Sequence, residues 1–96
     1  MTESQGTEVT NNVERHRFDI HVDGALAGFT QYKETPGVRE FFHTEIHDGF
    51  EGQGIGGKLA RAALDQTRAD GLKVIDTCPF IKGWIGKHPD YQDLLA

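Results

Sequence analysis

The residues of this 96-residue chain that could do chemistry fall into three places. Residues 48–57 (DGFEGQGIGG) hold five glycines, and the next thirteen, KLARAALDQTRAD, carry Leu59, Ala60, Ala63 and Leu64 at helical spacing, with Ile55 extending the stripe backward. A glycine-rich turn that opens a helix lets the backbone approach a ligand closely, and the helix's first unpaired N–H groups point outward toward an anion. Phosphate is the expected guest, in preference to a merely mobile loop. His43, Glu45 and His47 share one face of a strand, which raises a metal site of two histidines and a carboxylate. The spacing removes it: at about 3.3 Å per residue the histidines lie about 13 Å apart, too far for one ion with bonds of about 2 Å. No metal is expected. Glu45, a carboxylate amid apolar neighbours, is suited to taking an amine's proton, with His43 as a second candidate; the ordinary alternative for both is a solvated strand residue. Cys78 is the third place. Pro79 forces it to be extended, and although a lone cysteine is usually a small hydrophobe, a nucleophilic thiol there would need a neighbouring base such as His43, because a free thiol is mostly protonated at neutral pH.

The elements that must position these groups follow from periodicity. Residues 1–12 show no periodicity or aromatic residue and are expected to be a disordered tail, which leaves 13–96 as the folded domain. Arg15 to Asp23 alternates, with Phe18, Ile20 and Val22 on one face. Asp23-Gly24 then predicts a type I′ hairpin, so Ala25 to Lys33 returns antiparallel. Glu34 to Gly37 is a second turn, and Val38 to His47 is the third strand, whose paired Phe41 and Phe42 suggest that both faces are covered. The amphipathic helix is expected to end near Gly71, a glycine just past its last turn, and LKVIDTC restarts an extended run closed by Pro79. Ile81, Trp84 and Ile85 mark a second helix, interrupted at His88-Pro89. The fold class is α+β: a three-stranded antiparallel meander, the glycine loop, a helix, a strand and a helix.

Composition agrees with one compact unit. Counting glycine in place of tyrosine brings the apolar share to 45 of 96 residues, average for a globular domain. One cysteine forbids an intramolecular disulfide and an all-cysteine metal cage, so the expected setting is a reducing cytoplasm. No apolar run is long enough for a membrane helix, and MTESQGTEVTNN lacks a signal core. The net charge of −5 argues against a nucleic-acid partner. The charge is uneven, with 10 acids and 4 bases in residues 1–51 but 5 acids and 6 bases in 52–96. A phosphorylated ligand is therefore expected on the C-terminal half.

Gly52, Gly54 and Gly57 satisfy GxGxxG, and Asp76 ends the next strand, as in a dinucleotide fold. That reading fails on context: Asp48 to Glu51 separate the motif from its strand, and three antiparallel strands precede it. The same loop, taken as two variable residues, Gly54, one variable residue and Gly56 entering a helix, resembles the acetyl-CoA pyrophosphate loop of the GNAT superfamily of N-acetyltransferases. HTEI before it and DTCPF after it strengthen the likeness to the short, truncated branch of that superfamily, over roughly Arg17 to Tyr91.

The resemblance implies that the strands Phe41 to His47 and Leu72 to Cys78 splay apart and hold the pantetheine arm between them. It implies cofactor contacts at Thr44 and Ile46, at Gln53, Gly54, Ile55, Gly56, Gly57 and Lys58, and at Cys78, Phe80, Lys82 and Lys87, with Cys78, Glu45 and His43 as the catalytic candidates. The sequence departs from the superfamily in three ways. Glu51 stands where Arg or Gln is usual, so any side-chain contact to phosphate must come from Lys58, Arg61, Lys82 or Lys87. The asparagine and helix tyrosine of full-length relatives are missing, Trp84 occupying the helix, and the Asp23-Gly24 turn replaces the helices of the acceptor wall. The expected activity is acetyl transfer from acetyl-CoA to an amine of undetermined identity, either directly or through Cys78; the alternative is a CoA-binding or interaction module without turnover.

Overall fold

The computed structural model describes residues 6–96. Five strands form one sheet in the order of the chain: β1 Thr7–Asn12, β2 Arg17–Val22, β3 Ala25–Thr35, β4 Val38–Ile46 and β5 Lys73–Asp76. The first four are antiparallel neighbours and β5 runs parallel to β4. Helix α1 (Ile55–Ala69) makes the crossover between them, and helix α2 (Pro79–Gly86) and a 3-10 segment (Pro89–Leu94) complete the chain. The α+β class holds, with one strand more than the sequence suggested.

That extra strand corrects the N-terminal expectation. Residues 7–12 are not a tail; they pair in full register with β2, from Thr7 opposite Val22 to Asn12 opposite Arg17. Backbone ladder bonds hold this edge strand, supplemented by the Tyr32 hydroxyl donating to Asn11 Oδ1 (2.7 Å) and Asn12 Nδ2 donating to Asp19 Oδ2 (3.1 Å). Little of its stability comes from apolar burial, so hydropathy does not reveal it. The rest of the expected tail, residues 1–5, lies outside the described residues.

The turns follow their local chemistry. Asp23 (φ 49°) and Gly24 (φ 86°) both take the left-handed conformations that a type I′ turn requires, joining Val22 directly to Ala25 across the hairpin. A bulge at Phe42 breaks the β3–β4 register: Tyr32 lies opposite Phe41, but Gln31 lies opposite His43. The paired phenylalanines therefore do not report two covered faces. Phe41 is fully buried, whereas Phe42 is the extra residue and is 42% exposed. One core fills the space between the sheet and the helices, built from Phe18, Ile20, Tyr32 and Phe41 on the strands against Leu59, Ala63, Leu64, Ile81 and Ile85. Among the described residues no helix is long and apolar enough to cross a membrane.

A buried cation joins strand to helix. Arg39, 3% exposed, donates from Nη1 to Thr67 Oγ1 (3.0 Å) and from Nη2 to Glu34 Oε1 (2.8 Å) and Asp70 Oδ2 (3.1 Å), while its guanidinium lies over the Tyr32 ring at 4.8 Å. Each charge-assisted bond exceeds a neutral one, and the flat fork suits this divided geometry. Arg39→Met should therefore lower the unfolding free energy by about 2–4 kcal/mol in urea titration, since a charged hydrogen-bond set is lost but both acids can still reach water. A change within about 0.5 kcal/mol would show that the network is peripheral.

Candidate functional site

Strand β5 follows β4 for four residues only, from Val38 opposite Lys73 to Phe41 opposite Asp76. The last rung beyond them is the Cys78 N–H donating to Phe41 O at 2.8 Å. Pro79 does not continue the strand and serves as the first residue of α2, with Cys78 extended at φ −68°, ψ 124°. From Phe42 onward β4 has no strand on this side. The splay expected between the two strands is thus present, with α2 turned across it.

Register divides the residues of this stretch between two faces. Thr44 lies opposite the fully buried Thr30 and faces the helices; His43, opposite Gln31, and Glu45, opposite Phe29, face outward. Thr44 Oγ1 is 2.9 Å from Thr30 Oγ1 and 3.2 Å from Cys78 Sγ, a short polar chain behind the splay. Cys78 is 3% exposed. His43 cannot serve as its base, because the body of β4 stands between them; the structure withdraws that pairing. His43 Nε2 lies instead 3.3 Å from Glu45 Oε1, and both side chains are about half exposed, at 49% and 52%. Glu45 therefore sits beside an imidazole and water, with the Phe29 ring nearby, and not in the apolar surroundings expected of it. His47 is separately engaged, its Nδ1 3.2 Å from Leu26 O. Among the described residues no cluster of His, Cys, Asp and Glu could hold a metal ion.

The glycine loop closes the far end of the splay. Gly49, Gly52 and Gly54 all have positive φ, and Gly54, the residue that caps α1 with no side-chain bond, has φ 73°. The first helical rung is Lys58 N–H to Gly54 O (3.2 Å), so the N–H groups of Ile55, Gly56 and Gly57 have no partner within the helix, and no acid occupies its first turn. A cavity of about 290 Å³ opens against this turn, lined by Ile46, Gly54, Ile55, Gly56, Gly57 and Phe80 together with Phe50, Glu51 and Gly52. A Cβ at Gly56 would meet Phe80 Cζ at 2.8 Å, so any larger residue there must turn the exposed Phe80 ring aside.

The structure does not gather every residue expected around that cavity. Gln53 turns back, its Nε2 donating to Gly49 O (3.1 Å). Lys58 lines a different concavity beside Thr7, Val9 and Arg61; Lys82 Nζ is 3.9 Å from Asp76 Oδ1; Lys87 lies with Pro79, Gly83 and Trp84 on the other side of Phe80. Arg61 is committed as well, its Nη1 donating to the Tyr91 hydroxyl (3.1 Å) and its guanidinium over Trp84 at 5.4 Å. The Tyr91 hydroxyl donates onward to Asp65 Oδ1 (2.7 Å); burial first, and that bond second, raise its pKa above the ordinary tyrosine value. Trp84 stacks on His88 at 3.7 Å. This cluster, absent from the sequence reading, ties α1 to the C-terminal segment.

The family model described as GCN5-related N-acetyl-transferase matches residues 17–94 of the chain. The protein NATD1 of Xenopus tropicalis is 30% identical over 91 residues, covering 93% of this chain and 84% of that protein, and NATD1 of Mus musculus is 31% identical over 83 residues, covering 84% and 76%. Among solved structures, the solution structure of a GCN5-like protein from Staphylococcus aureus superposes with a TM-score of 0.71 at 27% identity, covering 93% of this chain and 87% of that one. The ribosomal-protein-alanine N-acetyltransferase of Brucella melitensis biovar Abortus gives a TM-score of 0.56 at 21% identity over 83% and 60%, a likeness of fold.

The loop geometry makes two substitutions diverge. Gly54→Val forces a β-branched residue into the left-handed region and should cost about 1–2 kcal/mol of stability. Gly83→Ala, inside α2 with nothing within 4 Å of the added Cβ, should gain about 0.5–1 kcal/mol. Urea titration of the two variants checks both signs.

Proposed function

The chain belongs to the GCN5-related N-acetyltransferase family, and from that premise we propose that it transfers the acetyl group of acetyl-CoA to an amine. The observation that carries this reading is the bare first turn of α1: three backbone N–H groups without helical partners, no acid among its side chains, and a cavity directly against them. Such a terminus suits a pyrophosphate, whose charge the helix dipole also favours. In this reading the grip is made by backbone from Gln53 to Gly57, and the missing Arg or Gln at Glu51 costs a side-chain contact but not the cradle. Thr44 and Ile46 on β4, with Cys78 and Phe80 beyond β5, flank the pantetheine arm. Lys87, across Phe80 from the cavity, is the lysine placed best to meet the ligand's outer phosphates; Lys58 and Lys82 act through longer-range field alone.

Acetyl-CoA supplies the acyl group already activated as a thioester. On the protein's side, the half-exposed His43–Glu45 pair follows the bulge on the outward face, where an incoming ammonium can lose its proton to Glu45, oriented by His43. The nitrogen–carbon bond then forms as the carbon–sulfur bond breaks; the nitrogen's second proton passes through water to the departing sulfur, or to solvent while the Cys78–Thr44–Thr30 chain protonates the sulfur and is reprotonated by water, and Glu45 returns its own proton to solvent. Direct transfer is the preferred route. Cys78 is buried, its partner is a neutral hydroxyl, and the base that a covalent relay needs is on the other face of β4.

Three measurements test this. In calorimetry CoA should bind at least tenfold more tightly than dephosphorylated pantetheine, and equal affinities would refute the phosphate cradle. Glu45→Gln should lower kcat/KM about 10²-fold at neutral pH, while Cys78→Ala keeps most of the activity. Mass spectrometry after incubation with acetyl-CoA alone should show no hydroxylamine-labile acetyl group; its presence, together with an inactive Cys78→Ala, would establish the relay instead. Tight CoA binding without turnover of any amine would leave a CoA-binding module.

A further inference from the structure

A concavity of about 410 Å³ lies away from the glycine loop, against the β4 bulge. Its lining includes Arg15 from the 3-10 turn after β1, Gln31, Tyr32, Lys33 and Glu34 from β3, and the exposed Phe42. Two features connect it to the reaction. Phe42 follows Phe41, the residue at which β5 leaves β4, and Gln31 lies directly opposite His43 in the register. The concavity therefore borders both the root of the splay and the outward His43–Glu45 pair.

Its charge runs against that of the molecule. The chain carries −5 overall, yet Arg15 and Lys33 are exposed here and neither forms an ion pair with a described residue. The one acid in the lining, Glu34, is already neutralised by Arg39 at 2.8 Å. Glu40, opposite Lys33, is turned toward β5, where its Oε2 accepts from Thr77 Oγ1 at 2.6 Å. Between the two cations and His43, Phe42 offers an apolar floor. The position of Lys33 is two residues along β3 from that of Gln31, about 7 Å.

We propose that this concavity is the acceptor site and that it selects small amines bearing an anionic group, a carboxylate or phosphate, which Arg15 and Lys33 hold while the hydrocarbon lies on Phe42 and the amine meets His43 and Glu45. The inference rests on the acetyl-transfer reading but makes a separate demand. A volume of this size suits a small molecule, and two unpaired cations beside an apolar surface suit an acid at one end of an aliphatic amine.

Three amines of one length test it: 5-aminopentanoate, 5-aminopentanol and 1,5-diaminopentane. With saturating acetyl-CoA, kcat/KM for 5-aminopentanoate should exceed that for 5-aminopentanol at least tenfold, with the diamine slowest. In the double variant Arg15→Gln/Lys33→Gln the ratio should fall to about one, chiefly through KM, while CoA affinity by calorimetry stays as in the wild type. Equal rates for the three amines, or a preference that survives the double substitution, would overturn the assignment. Should no amine be acetylated although CoA binds, the transfer reading fails by itself, and the site is then judged by amide shifts: 5-aminopentanoate added to the CoA-bound protein should move Gln31, Lys33 and Phe42, and no movement there would overturn it.

Discussion

Everything distinctive in this fold depends on β5 accompanying β4 for only four residues. The ladder stops because Pro79, directly after the Cys78 rung, ends the extended run. Proline at that position also starts α2, so one residue both ends the pairing and sends the chain across the gap. The gap beside the second half of β4 is the consequence of that stop.

The bulge at Phe42 then decides which groups meet. Without it, alternation from Phe41 would put His43 on the helix side and Thr44 outward; the inserted residue reverses the phase, so Thr44 joins Cys78 and Thr30 while His43 and Glu45 turn to solvent. An edit of one residue in the register moves a whole set of side chains between faces. Two supports keep this arrangement in place. Arg39 ties the paired half of β4 to the end of α1, and Gly28 lets the unpaired half approach β3, since a Cβ there would stand 2.5 Å from Glu45 O. Any larger residue at 28 must push β4 away from β3.

Much of this is legible in the residues wherever the physics is local. Asp23-Gly24 specifies its turn through positive φ, Pro79 specifies an extended Cys78, and the glycines before Ile55 specify a helix start with a bare terminus. Long-range choices leave no such mark. The strand Thr7–Asn12 is held by its partner's backbone and by two asparagines, not by an apolar stripe. Phe41-Phe42 has the pattern of a doubly covered strand, and only the register against β3 shows a bulge. The same register separates His43 from Cys78. Arg39, an unremarkable cation in a polar run, proves to be buried because Glu34, Thr67 and Asp70 converge on it from two other elements.

The central claim is that the space between β4 and the Cys78–Phe80 segment, closed by the first turn of α1, receives acetyl-CoA. Amide chemical-shift mapping during a CoA titration tests it residue by residue. The account predicts the largest shifts at Ile55, Gly56 and Gly57, with further shifts at Thr44, Ile46, Cys78 and Phe80, and little change along β1. Shifts concentrated instead on the Lys58–Arg61 face of α1 beside β1, with the first turn unmoved, would contradict it.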